Sequence, residues 1–198
     1  MERATYKPLP MMRMPAAVVC QPPVVGPKPV KTDMPAIDVM TDLRQVAAAM
    51  IRADATLAQA NRTMIARGVR LLLVVSVIGE VEGLITAHDI QGERPVNLMR
   101  ERGGKHTELT VADLMTPRAA IQVLTIESVL RAEVGHVIAT LKDAGRQHAL
   151  VVDKDPLTGE DFVRGIFSAT QIGRQLGMPI STFEVAHTFA EIEAELAK

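Results

Sequence analysis

Gly83-Leu-Ile-Thr-Ala-His-Asp-Ile90 and Gly165-Ile-Phe-Ser-Ala-Thr-Gln-Ile172 are two versions of one phrase: a glycine, two apolar residues, a hydroxyl residue, two variable positions, then Asp89 or Gln171. A second pair of echoes precedes them in the same order, Asp38-Val-Met-Thr-Asp42 and Asp113-Leu-Met-Thr-Pro117. Self-similarity on this scale means one structural unit used twice. The function then turns on what that unit does at its repeated hydroxyl position.

Around these phrases the chain reads as a strand, a helix, two strands and a helix, twice. In the first copy Asp54 and Thr56 offer cap oxygens for a helix over Leu57 to Arg67, which Gly68 ends. Leu71 to Val77, apolar except for Ser76 and β-branched from Val74, reads as a strand covered on both faces. Gly79-Glu80 makes a turn, Val81 to Ile85 is the partner strand, and Thr86 opens a helix running toward Arg100. The second copy repeats the order: a strand over Ile121 to Leu124, a helix over Val134 to Lys142 stopped by Gly145, strands over Ala149 to Val152 and Phe162 to Phe167, and a helix from Ser168. Residues 1–35, rich in Pro, Met and Lys, read as an extended arm. Thr182 to Lys198 reads as an amphipathic C-terminal helix.

Composition narrows the class of function. The 198 residues are 47% hydrophobic and 23% charged with a net charge of −1, ordinary for a soluble globular protein. With no basic excess and only 3% aromatic residues, neither a phosphate-tracking surface nor a base-stacking platform for nucleic-acid polymers is expected. The single cysteine, Cys20, rules out an intramolecular disulfide. No apolar run approaches the roughly 20 residues of a spanning helix, and prolines interrupt the apolar residues near the N-terminus, so a cytoplasmic protein without a membrane segment is expected. His88, His106, His136, His148 and His187 lack metal-ligand spacing, and no nucleophile elbow or phosphate-binding glycine loop occurs, so an enzyme is not expected.

The order of these elements resembles a tandem pair of CBS domains, a Bateman module, over roughly Ala36 to Gly177. The likeness rests on the two Asp-x-Met-Thr turns, on Gly68-Val-Arg-Leu-Leu-Leu-Val-Val75 and Gly145-Arg-Gln-His-Ala-Leu-Val-Val-Asp153, and on the two glycine-to-helix phrases. It implies an α+β fold in which two β-α-β-β-α units, residues 36–102 and 111–177, pack sheet to sheet about a pseudo-two-fold axis. The linker is then 103–110 and the C-terminal appendage 178–198. It implies a homodimer, clefts that take AMP, ADP, ATP or S-adenosylmethionine, and a regulatory role exerted on a client protein. The alternative is a structural or dimerisation module with both clefts empty.

The candidate ligand residues follow from the resemblance together with the local chemistry. A strand delivering its end onto a helix N-terminus suits an anion; Gly83 permits close approach, Thr86 meets ribose or phosphate, and Asp89 accepts from both ribose hydroxyls. Thr-x-x-Asp and Ser-x-x-Gln equally fit a capping box that needs no ligand. In the second copy Gln171 replaces the expected Asp, which favours the cap there, while His148, Arg146 and Ser168 offer a phosphate contact. Arg70 is a further phosphate candidate; the bland readings are a packed histidine and a surface arginine. Thr41, Asp42, Pro117, Arg118 and Ala119 lie where the family sets main chain against adenine. Val111 and Ile121 either flank the ring or belong to the core.

Overall fold

The computed structural model describes residues 10–11, 13–14, 28–102 and 108–182. Strands β1 (Thr41–Asp42) and β2 (Met50–Ile51) lead to helix α1 (Leu57–Arg67), then to β3 (Leu71–Val75), β4 (Val81–Thr86) and α2 (Ala87–Gln91). Helices α3 (Arg94–Arg102) and α4 (Val111–Leu114) precede β5 (Thr116–Pro117) and β6 (Val123–Thr125). The chain continues through α5 (Ile126–Leu130), α6 (Val134–Asp143), β7 (His148–Lys154), β8 (Asp161–Ser168) and α7 (Ala169–Leu176). Two four-stranded sheets result, ordered β2-β3-β4-β5 and β1-β8-β7-β6.

The entry strands are exchanged between the copies. β1, expected to open the first copy, pairs antiparallel with β8 of the second, Thr41 opposite Ile166 and Asp42 opposite Gly165. β5 pairs with β4 of the first, Gly83 opposite Pro117. The glycines of the repeated phrase explain both dockings. A Cβ on Gly83 would stand 2.5 Å from the Thr116 carbonyl oxygen, and one on Gly165 would meet Met40 Cγ at 2.7 Å. Each Asp-x-Met-Thr turn is therefore seated on the other copy's glycine, where only a hydrogen leaves room.

Packing follows the exchange. The first core holds Leu57, Ala60, Met64, Leu72, Val74 and Ile85 together with Val111 and Leu114 from beyond the linker. The second holds Val137, Leu141, Val151, Phe167 and Ile172 together with Val30 from the expected arm and Ala36, Val39 and Met40 from the opening of the first copy. Between the sheets Leu71, Leu73 and Leu84 meet Leu150. The last residues of the expected arm thus belong to the second unit: Val134 N–H donates to Met34 O at 2.8 Å and Val30 N–H to Gln175 O at 3.1 Å.

Several boundaries differ from expectation for local reasons. β3 stops at Val75 because Ser76–Glu80 closes a turn with Gly79 at φ 88°, leaving Val77 and Ile78 exposed. The helix from Thr86 breaks at Gly92, which is extended, and resumes as α3, where Pro95 occupies the first turn and no hydrogen bond is lost. α5 was not expected; Thr125 caps it by accepting from Ser128 N–H at 3.3 Å, and Ile126 and Val129 are buried. The second hairpin is longer, β7 and β8 extending to Lys154 and Asp161. The C-terminal helix and most of the linker and arm lie outside the described residues.

Candidate functional site

Two clefts flank the sheet-to-sheet contact, and Arg70, Leu71 and His148 line both. This follows from register: Leu71 pairs with Thr86 at the end of β3, and His148 with Ser168 at the start of β7. Each hydroxyl residue therefore stands beside the residue that divides the clefts.

The first cleft, about 240 Å³, is lined by Thr86, Ala87, His88, Asp89, Thr116, Gly145, Arg146 and Gln147 besides the shared residues and Leu84. Thr86 and Asp89 form a complete capping box. Thr86 N–H and Oγ1–H donate to Asp89 Oδ2 at 2.9 and 2.7 Å, and Asp89 N–H donates to Thr86 Oγ1 at 3.3 Å. The other carboxylate oxygen accepts from Arg94 Nη1 at 2.6 Å, and Asp89 is only 8% exposed. Thr110 and Asp113 repeat the box, with Thr110 N–H and Oγ1–H donating to Asp113 Oδ2 at 2.9 and 2.8 Å, at a helix start that lines neither of these clefts. The hydrogen-bond pattern of Thr86 and Asp89 is thus complete without a ligand.

The second cleft is larger, about 460 Å³, and its chemistry differs. Thr41, Ser168, Thr170 and Gln171 supply polar groups; Val46 to Ala49, Val69 and Ile166 supply an aliphatic wall; Arg67, Arg70 and Arg174 supply charge. Here the box is half made. Gln171 N–H donates to Ser168 Oγ at 3.5 Å, but the Gln171 side-chain oxygen accepts from Thr41 Oγ1 at 3.1 Å, across the exchanged strand. The expected cap at Ser168 is thus present without its reciprocal half: glutamine is one methylene longer than aspartate, and its side-chain oxygen is bonded to Thr41 of β1.

His148 stands between the clefts as a neutral imidazole. Burial, and then the nearby Arg70 guanidinium, lower its pKa from 6.5 to about 4. It can donate or accept a hydrogen bond at neutral pH but adds no charge.

The structure places the remaining candidates as follows. Arg146 lines the first cleft, so it does not join Ser168. Gly83 faces Thr116 and Pro117 of β5 and not a cavity. Thr116 lines the first cleft, while Pro117, Arg118 and Ala119 are exposed beside it and line neither. Asp42 is turned onto Arg164, accepting also from Arg44 N–H at 2.8 Å and Gln45 Nε2 at 3.3 Å. Arg164 reaches Asp153 as well, at 3.7 Å, and Arg44 reaches Asp153 at 3.5 Å while stacking over Phe162. Burial raises the Asp42 pKa, but the Arg44 N–H and the Arg164 guanidinium outweigh it and hold the carboxyl below its usual value. Asp42 is thus a clamp on β1. Val111 is fully buried in the first core, and Ile121 packs at the sheet contact.

Sequence reasoning missed Arg67, Arg174 and Arg94. Ser168, Gln171 and Arg174 fall at helical spacing on α7, which was the available signal. Among the described residues no cluster of three metal-binding side chains occurs, and no helix is long and apolar enough to cross a membrane.

Residues 22–94 match the CBS-domain family. A search of the curated proteins gave no match. Among solved structures, an uncharacterised conserved protein from Pyrococcus horikoshii is 20% identical, with a TM-score of 0.52 over 72% of this chain and 92% of that one. A CBS-domain protein from Agrobacterium tumefaciens is 16% identical, with a TM-score of 0.52 over 74% and 97%. CBSX2, of Arabidopsis thaliana, crystallised in complex with AMP, is 20% identical, with a TM-score of 0.50 over 71% and 94%.

Proposed function

Because the chain carries a CBS domain and has the fold of a CBS pair, we propose that it is a regulatory module that binds an adenine nucleotide or another adenosyl compound and passes its occupancy to a partner protein, catalysing nothing itself. The observation that carries this reading is the second cleft. Its volume of about 460 Å³ lies within the roughly 300–1,000 Å³ of small-molecule sites, whereas 240 Å³ falls short. Its aliphatic wall suits a nucleobase, and Thr41, Ser168 and Gln171 suit a ribose. The complex of CBSX2 with AMP supports the ligand class.

In this reading Ser168, Gln171 and Arg174 contact ligand from α7 and Thr41 from β1, so binding bears on the contact between an entry strand and the opposite unit. Thr86, Asp89 and Arg146 form a smaller second subsite, closed while Arg94 holds Asp89. Gly83, Asp42, Pro117, Arg118 and Ala119 position the entry strands. A cytoplasmic homodimer is the proposed setting. Ligand shifts the module only by its differential affinity for two states, and the client reads that difference.

The test is calorimetric and thermal-shift titration of the full chain with AMP, ADP, ATP and S-adenosylmethionine. At a hundredfold excess over Kd, bound ligand adds about 2.7 kcal/mol, a rise in Tm of roughly 5–10 °C for a chain of this size. No binding tighter than about 1 mM, or −4.1 kcal/mol, rejects the proposal. The second reading, a structural or dimerisation module with empty clefts, is favoured by one observation: Thr86 and Asp89, the candidate ribose contacts of the first cleft, are bonded to each other and to Arg94 from within the chain.

A further inference from the structure

Arg67, Arg70 and Arg174 open onto the second cleft, and no carboxylate lines it. Resting on the adenosyl reading above, we infer that this cleft selects its ligand by phosphate charge, taking nucleoside di- and triphosphates and rejecting both adenosine and the cationic S-adenosylmethionine. Three arginines elsewhere sit on carboxylates: Arg94 on Asp89, Arg164 on Asp42 and Asp153, and Arg44 on Asp153. Among the described residues none of the three cleft arginines forms an ion pair. Arg67 donates one N–H to Ala47 O at 3.1 Å, leaving most of its five donors for another acceptor. Three like charges converging on one concavity favour an anion that bridges them.

The ribose end of the cleft points the same way. Gln171 stands where Asp89 stands in the first copy, so the ribose hydroxyls meet a neutral carboxamide whose oxygen already accepts from Thr41. Hydrogen bonds to ionised groups are roughly twice as strong as neutral ones, and in this cleft the ionised groups are the guanidinium donors, which a phosphate uses and a ribose does not. His148, neutral beside Arg70, adds a hydrogen bond without competing charge. S-adenosylmethionine brings a sulfonium and an ammonium against one carboxylate, so its reacting end is repelled by the arginines that a triphosphate neutralises.

Calorimetric titration of the full chain with ATP, ADP, AMP, adenosine and S-adenosylmethionine at fixed ionic strength tests this directly. The expected order is ATP and ADP tightest, AMP weaker, and adenosine and S-adenosylmethionine weaker than ATP by at least about 30-fold, a gap that narrows as salt is raised. Arg174→Gln and Arg67→Gln each weaken ATP binding about tenfold and leave adenosine unchanged. Arg131→Gln, an exposed charge on the α5 C-terminus, leaves both unchanged and controls for net charge. All three positions are exposed, and an unaltered Tm without ligand checks that the variants fold. Adenosine or S-adenosylmethionine binding as tightly as ATP overturns the charge selection while leaving the adenosyl reading intact. Failure of all five compounds overturns the reading beneath it.

Discussion

The two clefts are built from the same phrase and have diverged in where the polar side chain after the hydroxyl is used. In the first, Asp89 turns back onto Thr86 and is covered by Arg94, so the helix start is satisfied and the cavity is small. In the second, Gln171 turns outward to Thr41 of the exchanged strand, and the cavity is nearly twice the volume. A carboxylate at this position of the phrase is therefore not by itself an open acceptor. What matters is whether the chain has already used its oxygens.

The largest effect that breaks the equivalence of the copies comes from the glycines. Gly83→Ala drives a Cβ against the backbone oxygen of Thr116, which cannot move without unpairing β5, and costs roughly 3 kcal/mol in denaturant unfolding. Gly165→Ala meets the flexible Met40 side chain, which can turn aside, and costs about half as much. Equal losses would mean that the two entry strands are held alike.

His148 sharpens the comparison through pH, since its counterpart Leu71 does not titrate. Folded, it protonates near 4; unfolded, near 6.5. Between those values the unfolded chain binds more protons, so the stability tied to a neutral His148 is present above about pH 6.5 and is lost as pH falls toward 4. The loss is about 2–3 kcal/mol, and His148→Gln flattens it in chemical denaturation followed between pH 7 and 4.5. A slope unchanged in the variant assigns the acid sensitivity to other groups.

A smaller effect separates the entry strands by charge. Asp42 clamps β1 through Arg164, whereas Pro117 stands at the matching position of β5 and carries no charge. Arg164→Ala lowers stability by about 1–2 kcal/mol, whereas Arg118→Ala, exposed beside β5, leaves it within about 0.5 kcal/mol. Smallest of all, Arg94→Gln removes a half-exposed ion pair worth about 1 kcal/mol or less. It uncovers Asp89, so calorimetry then detects adenosyl binding at the first cleft; a stoichiometry unchanged from the parent shows that volume, and not Arg94, closes it.

Much of this was written in the linear sequence where the physics is local. Thr56, Gly68 and Gly145 end or begin helices by their own hydrogen bonds and φ angles, and α1, β3 and β7 stand close to where periodicity put them. The exchange of β1 and β5 was not legible, because strand partners are chosen by long-range packing and chain order assigns each entry turn to the wrong copy. The meaning of Gly83 was hidden for the same reason: the close approach it permits is by β5. Arg174 was legible as a helical neighbour of Gln171, but Arg67 joins it only because the two sheets meet at Leu71 and Leu150. Cleft volume, set by that meeting, has no signature in one dimension.

The exchanged strands make each half of the chain the completing piece of the other. A fragment ending in the linker keeps β2, β3 and β4 but presents β4 as an open edge beside Gly83, and it carries an unpaired β1 whose seat lies on the missing half. Two such fragments, expressed separately and mixed, have complementary vacancies and reassemble as a split protein would. A single unit taken alone has one vacated edge, on β4, and one unpaired strand, β1, the two elements that a strand-swapped dimer joins.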